Sequence, residues 1–309
     1  MVKITLIALF LALSPPAMAG AVRAEVVEGP KAYRYHASWA DRGGKAREVR
    51  AILPRGATED DLEAPLKFPM KRAANAQAAA VTQWGRSLPA GSSVQVEVLE
   101  KGALKIGAVA PTPAQAKQII EEGQRVAQRE LKRFAREEGF LVDNQRVILP
   151  DHAREVRSSA RALSPLAEAL AEGLPNQSPR VFAEKALAFV QSIPYEARPN
   201  GNDAGFRRPM AVLVKNKGDC DGKAVLFLGL MRARYPDLPM SVLIVPGHAL
   251  VGVALQPKPG ERVLQLEGRD LVVMEPVGPA LSPIGDPSPL SKNALQRGDV
   301  EIYPVDPAR

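Results

Sequence analysis

Apolar and polar positions alternate early in the chain. Tyr33-Arg34-Tyr35-His36-Ala37-Ser38-Trp39 and Glu48-Val49-Arg50-Ala51-Ile52-Leu53 both repeat with a period of two, and Asp41-Arg42-Gly43-Gly44 lies between them. That is the pattern of a β-hairpin. Residues 94–98 and 104–106 predict a second strand pair. The stretch 65–86 is rich in alanine and has no decisive period. From 111 to 139 the period becomes helical. Ile119, Ile120, Val126, Leu131 and Phe134 form one stripe, with Thr112 as N-cap and Pro113 at the first helical position. Short strands are expected at 140–142 and 147–150, then a helix over 154–172. Glu172-Gly173-Leu174-Pro175-Asn176-Gln177-Ser178-Pro179 reads as a linker.

Beyond the linker, Ser178 and Pro179 start a helix that runs to about Gln191, and Ile193-Pro194-Tyr195 stops it. Residues 200–205 form a loop. Residues 209–217 lead into Gly218-Asp219-Cys220-Asp221-Gly222-Lys223, and an apolar run of helical length follows over 224–231. Strands are expected at 240–245, 249–255, 262–266 and 271–275, with Pro246-Gly247 as a turn and His248 opening the second of them. The order predicts an α+β protein. A β-rich region spans 25–110, a helical connector 111–177 and a C-terminal domain 178–309.

Residues 1–19 change where this protein is expected to work. Lys3, an apolar segment over 4–13 and Ala17-Met18-Ala19 have the make-up of a cleaved signal peptide, which predicts a mature start near Gly20 and a periplasmic or secreted location. The formal charge is +7 and aromatic residues make up 5% of the chain. The basic residues are interspersed with glutamates along helices rather than clustered with aromatics. This argues against nucleic acid and predicts only weak, unspecific attraction to anionic membrane or cell-wall surfaces.

Cys220 is the only cysteine. With Asp219 as N-cap it falls in the first turn of a helix, where free backbone N–H groups and the helix dipole favour the thiolate, the nucleophilic form. Free cysteine is often just a small buried hydrophobe. The polar turn around Cys220, and the difficulty of keeping an unpaired thiol in an oxidising compartment, favour a working nucleophile instead. A nucleophilic thiol needs a base and a group to orient that base. His248 is the one histidine in the C-terminal half, and Glu275 ends an apolar strand, where an unpaired carboxylate would be costly to bury. Glu267 and Asp270 lie in a turn and read as solvated. His36 reads as structural, and His152 as a surface or helix-start residue. With three widely spaced histidines, no second cysteine and no glycine-rich phosphate loop, no metal or cofactor is expected.

The blocks Phe189-Val190-Gln191-Ser192-Ile193-Pro194-Tyr195, Pro209-Met210-Ala211-Val212-Leu213, Lys217-Gly218-Asp219-Cys220-Asp221-Gly222-Lys223-Ala224-Val225-Leu226, Gly247-His248-Ala249 and Glu275-Pro276-Val277-Gly278 together resemble the core of the transglutaminase-like superfamily, a branch of the papain-like cysteine enzymes. They cover residues 180–280, under half the chain. The resemblance implies a nucleophile helix packed on an antiparallel sheet that bears histidine and acid. It also implies acyl transfer on a peptide or protein substrate through Cys220, His248 and Glu275. The family's third member is usually aspartate, and here the matching residue is glutamate. The oxyanion is expected on the Cys220 backbone N–H and a side-chain donor, Tyr195 or Gln191. Hydrolysis by a peptidase or amidase is the leading expectation. Amine-transferring cross-linking and a non-catalytic binding module are the alternatives.

Overall fold

The computed structural model describes residues 21–55, 62, 65–143, 147–197 and 206–306. The signal-peptide expectation and the 200–205 loop fall outside these residues. The protein is mixed α and β with antiparallel sheets. Strands β1 (Arg23–Glu28), β2 (Ala32–Ala40) and β3 (Ala46–Pro54) form a meander in that order, and Trp39 pairs with Arg47 next to the turn. Alternation places Tyr33, Tyr35, Ala37 and Trp39 on one buried face. Trp39 meets Phe189 edge to face at 5.1 Å between ring centres, which joins this sheet to the C-terminal half.

The alanine-rich stretch is helix α1 (Met70–Gly85), which packs along α2 (Pro113–Glu137). The hairpin of β4 (Ser93–Val98) and β5 (Leu104–Val109) joins the two helices. Thr112 caps α2 as expected, accepting from the Gln115 backbone N–H at 3.3 Å. Phe68 sits edge-on to Phe134 and Phe140, closing the lobe where it meets the short pair β6 (Phe140–Val142) and β7 (Ile148–Pro150). The residues this lobe buries, such as Ala73, Val81 and Ala135, lie outside the main core.

That main core contains the next three helices together: α3 (His152–Ala171), α4 (Pro179–Ser192) and, after the short α5 (Pro209–Lys215), the nucleophile-bearing α6 (Cys220–Arg234). Leu163, Leu166 and Leu170 of α3 share it with Phe182 and Phe189 of α4 and with Phe227 of α6. The turn over 172–178 is therefore a bend within one core. The β1–β3 meander and α3 belong with the C-terminal half, and residues 65–143 form the separate lobe.

A five-stranded antiparallel sheet lies against α6. Its members are β8 (Met240–Val245), β9 (His248–Val253), β10 (Val263–Leu266), β11 (Arg269–Met274) and β12 (Glu301–Val305), in the spatial order β10-β11-β9-β8-β12. Successive residues face opposite ways. Val242 and Val251 enter the main core, while Leu243 and Leu250 meet Ala294 and Leu295 of α7 (Pro289–Arg297). The hydrophobic pattern predicts no element after 276, so α7 and β12 are additions from the structure. Among the described residues no helix is long and apolar enough to cross a membrane.

Candidate active site

Cys220 stands where the pattern places it, at the first position of α6. Asn216 ends α5 in the left-handed conformation, and the chain then runs beside residues 194–196. The Gly218 N–H donates to the Pro194 carbonyl at 3.1 Å, and the Glu196 N–H donates to the Gly218 carbonyl at 3.0 Å. Asp219 is the N-cap, accepting from the Gly222 N–H at 2.7 Å. Gly222 is required by space. A Cβ there would stand 2.6 Å from the Arg207 carbonyl oxygen. Tyr195 forms an isolated parallel bridge with Gly218 and is half exposed, so it stands beside the nucleophile turn.

The charge state of the thiol differs from expectation. Burial pushes Cys220 up to about 12, and the carboxylates of Asp221 and Asp219 add to the rise. The backbone N–H groups of Ala249 and Asp221 favour the thiolate without prevailing. The helix-terminus argument considered only the peptide dipoles. The buried side of the turn and the two flanking aspartates outweigh them, so the resting group is a thiol. Alkylation by iodoacetamide, followed by mass spectrometry, should therefore keep accelerating with pH beyond about 10 in the folded protein, whereas the urea-unfolded chain should level off above about 9. A plateau by about pH 7 in the folded protein would instead mean a preformed thiolate.

His248 and Glu275 meet directly. The tight turn of Pro246 and Gly247, the latter at φ +72°, pairs Val245 with His248 and starts β9 beside the N-terminus of α6. His248 Nε2 lies 2.8 Å from Glu275 Oε1, and the other carboxylate oxygen accepts the Ser288 N–H at 2.5 Å. Burial acts to raise the Glu275 carboxyl, but the His248 and Ser288 hydrogen bonds hold it below the ordinary carboxylate range. With Nε2 engaged by Glu275, Nδ1 is the ring nitrogen left for another partner. The backbone N–H of Ala249, the next residue, is near enough to Cys220 to favour its thiolate. Asp270 lies on the exposed β10–β11 hairpin, away from this pair.

Gln191 is not a spare oxyanion donor facing solvent. It is buried, and its amide donates to the main-chain carbonyls of Glu275 at 2.8 Å and Ser282 at 2.9 Å. Both amide hydrogens are thereby used. Its own carbonyl accepts from Lys223 Nζ at 3.2 Å, and the Ile193 carbonyl accepts from the same amine at 2.6 Å. Lys223 is fully buried one turn after Cys220, and burial lowers it to about 7. A chain of contacts thus ties the nucleophile's helix to the acid's strand: Lys223 to the Gln191 carbonyl, and the Gln191 amide to Glu275. Sequence reasoning passed over Lys223, whose one signal was a lysine inside an otherwise apolar helix.

No family model, no characterised protein and no solved structure matches this chain. The site is therefore read from its own geometry. A second histidine comes unexpectedly close to the nucleophile turn. His152 is the first residue of α3 as expected, but it is buried rather than at the surface. Its ring packs on Phe206 at 5.3 Å, and Nε2 lies 3.2 Å from Asp221 Oδ1 without the angle of a hydrogen bond. Helix α3 is carried there by its packing along α6, which nothing local to residue 152 announces. His36 sits on β2 within ion-pair distance of Glu25 and Glu48, remote in topology from the C-terminal sheet. Among the described residues no group of three His, Cys, Asp or Glu side chains is placed to hold a metal ion.

Proposed function

We propose that the protein is an exported cysteine hydrolase with a transglutaminase-like, papain-like core, cleaving amide bonds of peptide or protein substrates through Cys220, His248 and Glu275. The observation that carries this reading is the 2.8 Å contact of His248 with Glu275, at the start of the strand that packs against the helix whose first residue is Cys220. A histidine oriented by a carboxylate and delivered to a thiol at a helix start is the arrangement that nucleophilic acyl transfer requires.

In the reaction, the Cys220 sulfur attacks the amide carbonyl carbon as its proton passes to His248 Nδ1. The oxyanion is held by the Cys220 backbone N–H and the Tyr195 hydroxyl. His248 then gives its proton to the amine, the C–N bond breaks, and a thioester remains. Water attacks the thioester with His248 again as base, the C–S bond breaks, and the carboxylic acid leaves with the thiol restored. The raised thiol makes proton removal part of the attack, so His248 acts as a general base rather than as half of a standing ion pair.

One observation favours a second reading, a non-catalytic binding module. A thiol pushed up to about 12 is a poor nucleophile unless substrate changes its surroundings. The two readings separate in a termini-mapping experiment. A periplasmic extract incubated with the wild-type protein should gain new N-termini that are absent with Cys220→Ala, and the mature protein's own N-terminus should be found near Gly20. Identical termini in both incubations would favour the binding module. New isopeptide bonds in place of new termini would indicate amine transfer.

A further inference from the structure

We propose that a cleft between the β2–β3 turn, the 172–175 bend and α4 binds an acidic peptide segment. The cleft measures about 820 Å³ and reaches Gln191, whose amide bonds the Glu275 carbonyl. Leu174, Val181 and Leu281 give it apolar walls. Its charged lining is unevenly compensated. Arg47 is held by Asp41 at 2.7 Å, and Arg180 by both oxygens of Glu261 at 2.8 and 2.9 Å. Arg42 and Lys45, on the exposed turn, have no carboxylate partner among the described residues. Lys185 donates to the Glu172 main-chain carbonyl at 3.0 Å rather than to a carboxylate. Burial, and then the nearby Arg47 guanidinium, work against its charge.

Glu184 faces Lys258 at 4.0 Å and the Glu172 charge supports Lys185, but six basic side chains line the cleft against four acidic ones, and carboxylates supplied from outside would relieve that excess. The volume is in the range of sites that enclose extended organic ligands, roughly 300–1,000 Å³, and is far more than a lone inorganic anion fills. Apolar walls beneath a basic rim suit a chain carrying both acidic and apolar side chains, and a concave cleft does not suit a flat lipid surface. One end of the cleft touches the site machinery. Gln191 and Ser282 line it, and the Gln191 amide bonds the carbonyls of Ser282 and Glu275. A bound segment would therefore be separated from Glu275, the acid that orients His248, by the Gln191 side chain. That this segment belongs to the substrate rests on the hydrolase reading, whereas the binding itself does not.

The probe is a fluorescein-labelled octapeptide of alternating glutamate and leucine, followed by fluorescence anisotropy at low salt. Its counterparts carry glutamine or lysine in place of glutamate. The glutamate peptide should bind most tightly, and the double variant Arg42→Glu/Lys45→Glu should weaken it about tenfold, the scale expected for two exposed charges acting together. Those positions lie on an exposed turn, so the fold should persist, with circular dichroism as the check. Cys220→Ala should bind like wild type, so a failure of the hydrolase reading leaves this result standing. Equal binding of the glutamate and glutamine peptides, an unchanged Kd in the double variant, or binding only to phosphatidylglycerol vesicles would each overturn the proposal.

Discussion

Replacing His248 with alanine should cut amide hydrolysis by about three orders of magnitude, the scale of a lost general acid–base. The side chain is only partly buried and its polar partner is Glu275, so the folded core should survive. The effect is expected to be large because the thiol is raised by burial. With no imidazole to take the proton, attack waits on a rare thiolate. Added imidazole should restore part of the rate, since it can enter the space the ring leaves and accept the same proton. Glu275→Gln should lose less, because the amide oxygen can still accept from one of the two, the Ser288 N–H or the ring, although a neutral amide stabilises imidazolium poorly and can hold the wrong tautomer. Thermal melts of both variants check that they are folded. If His248→Ala retains turnover within a few fold of wild type while folded, His248 is not the base.

The second large effect concerns stability and its dependence on pH. Lys223 is wholly buried, with two main-chain carbonyls as its hydrogen-bond acceptors. Burial lowers it to about 7, whereas in the unfolded chain it keeps its proton to about 10.4. Between those values the unfolded chain binds more protons than the folded one, so stability rises with pH. The cost of burying the charge is fully present below the folded value and is gone above the unfolded one. At about 1.4 kcal/mol per unit, the swing between about pH 6 and pH 11 is about 4 kcal/mol. Lys223→Met removes that rise. The variant also leaves the Gln191 and Ile193 carbonyls without a donor, so it should compare best with wild type at low pH and worst at high pH. Urea titrations of both proteins across this range measure the difference directly. Parallel stability curves would mean that Lys223 keeps an ordinary affinity for its proton inside the fold.

Gln191→Ala would free the carbonyls of Glu275 and Ser282 together, on the strand end that presents the acid. Such a change would be felt at His248 through Glu275, although Gln191 touches neither the sulfur nor the imidazole partner oxygen. Gly278 packs so closely on the Gln191 carbonyl that a side chain there would collide with it. The residues around Glu275 are therefore held from three directions: by Gln191, by Ser288 and by His248.

Most of the secondary structure was legible along the chain itself. The hairpin of β2 and β3, the caps at Thr112, Ser178 and Asp219, the helix start at Cys220 and the strand opened by His248 all depend on neighbours within a few residues, where period and capping act. The partnership of His248 with Glu275 was also within reach, because a carboxylate at the end of an apolar strand needs a cation or donor nearby. What stayed hidden required knowing which distant segments meet. Within residues 65–86 the helix Met70–Gly85 lies along α2, and alanine, which favours a helix, does not name the face that the packing buries. Gln191 and Lys223 acquired their roles from carbonyls brought to them by other elements, and His152 reached Asp221 because α3 lies along α6. The thiol's protonation shows the division most plainly. The capping sequence determined that Cys220 sits at a helix start and feels its dipole. Whether that dipole prevails depends on solvent exclusion and on charges from the whole surrounding fold, and these only the tertiary structure decided.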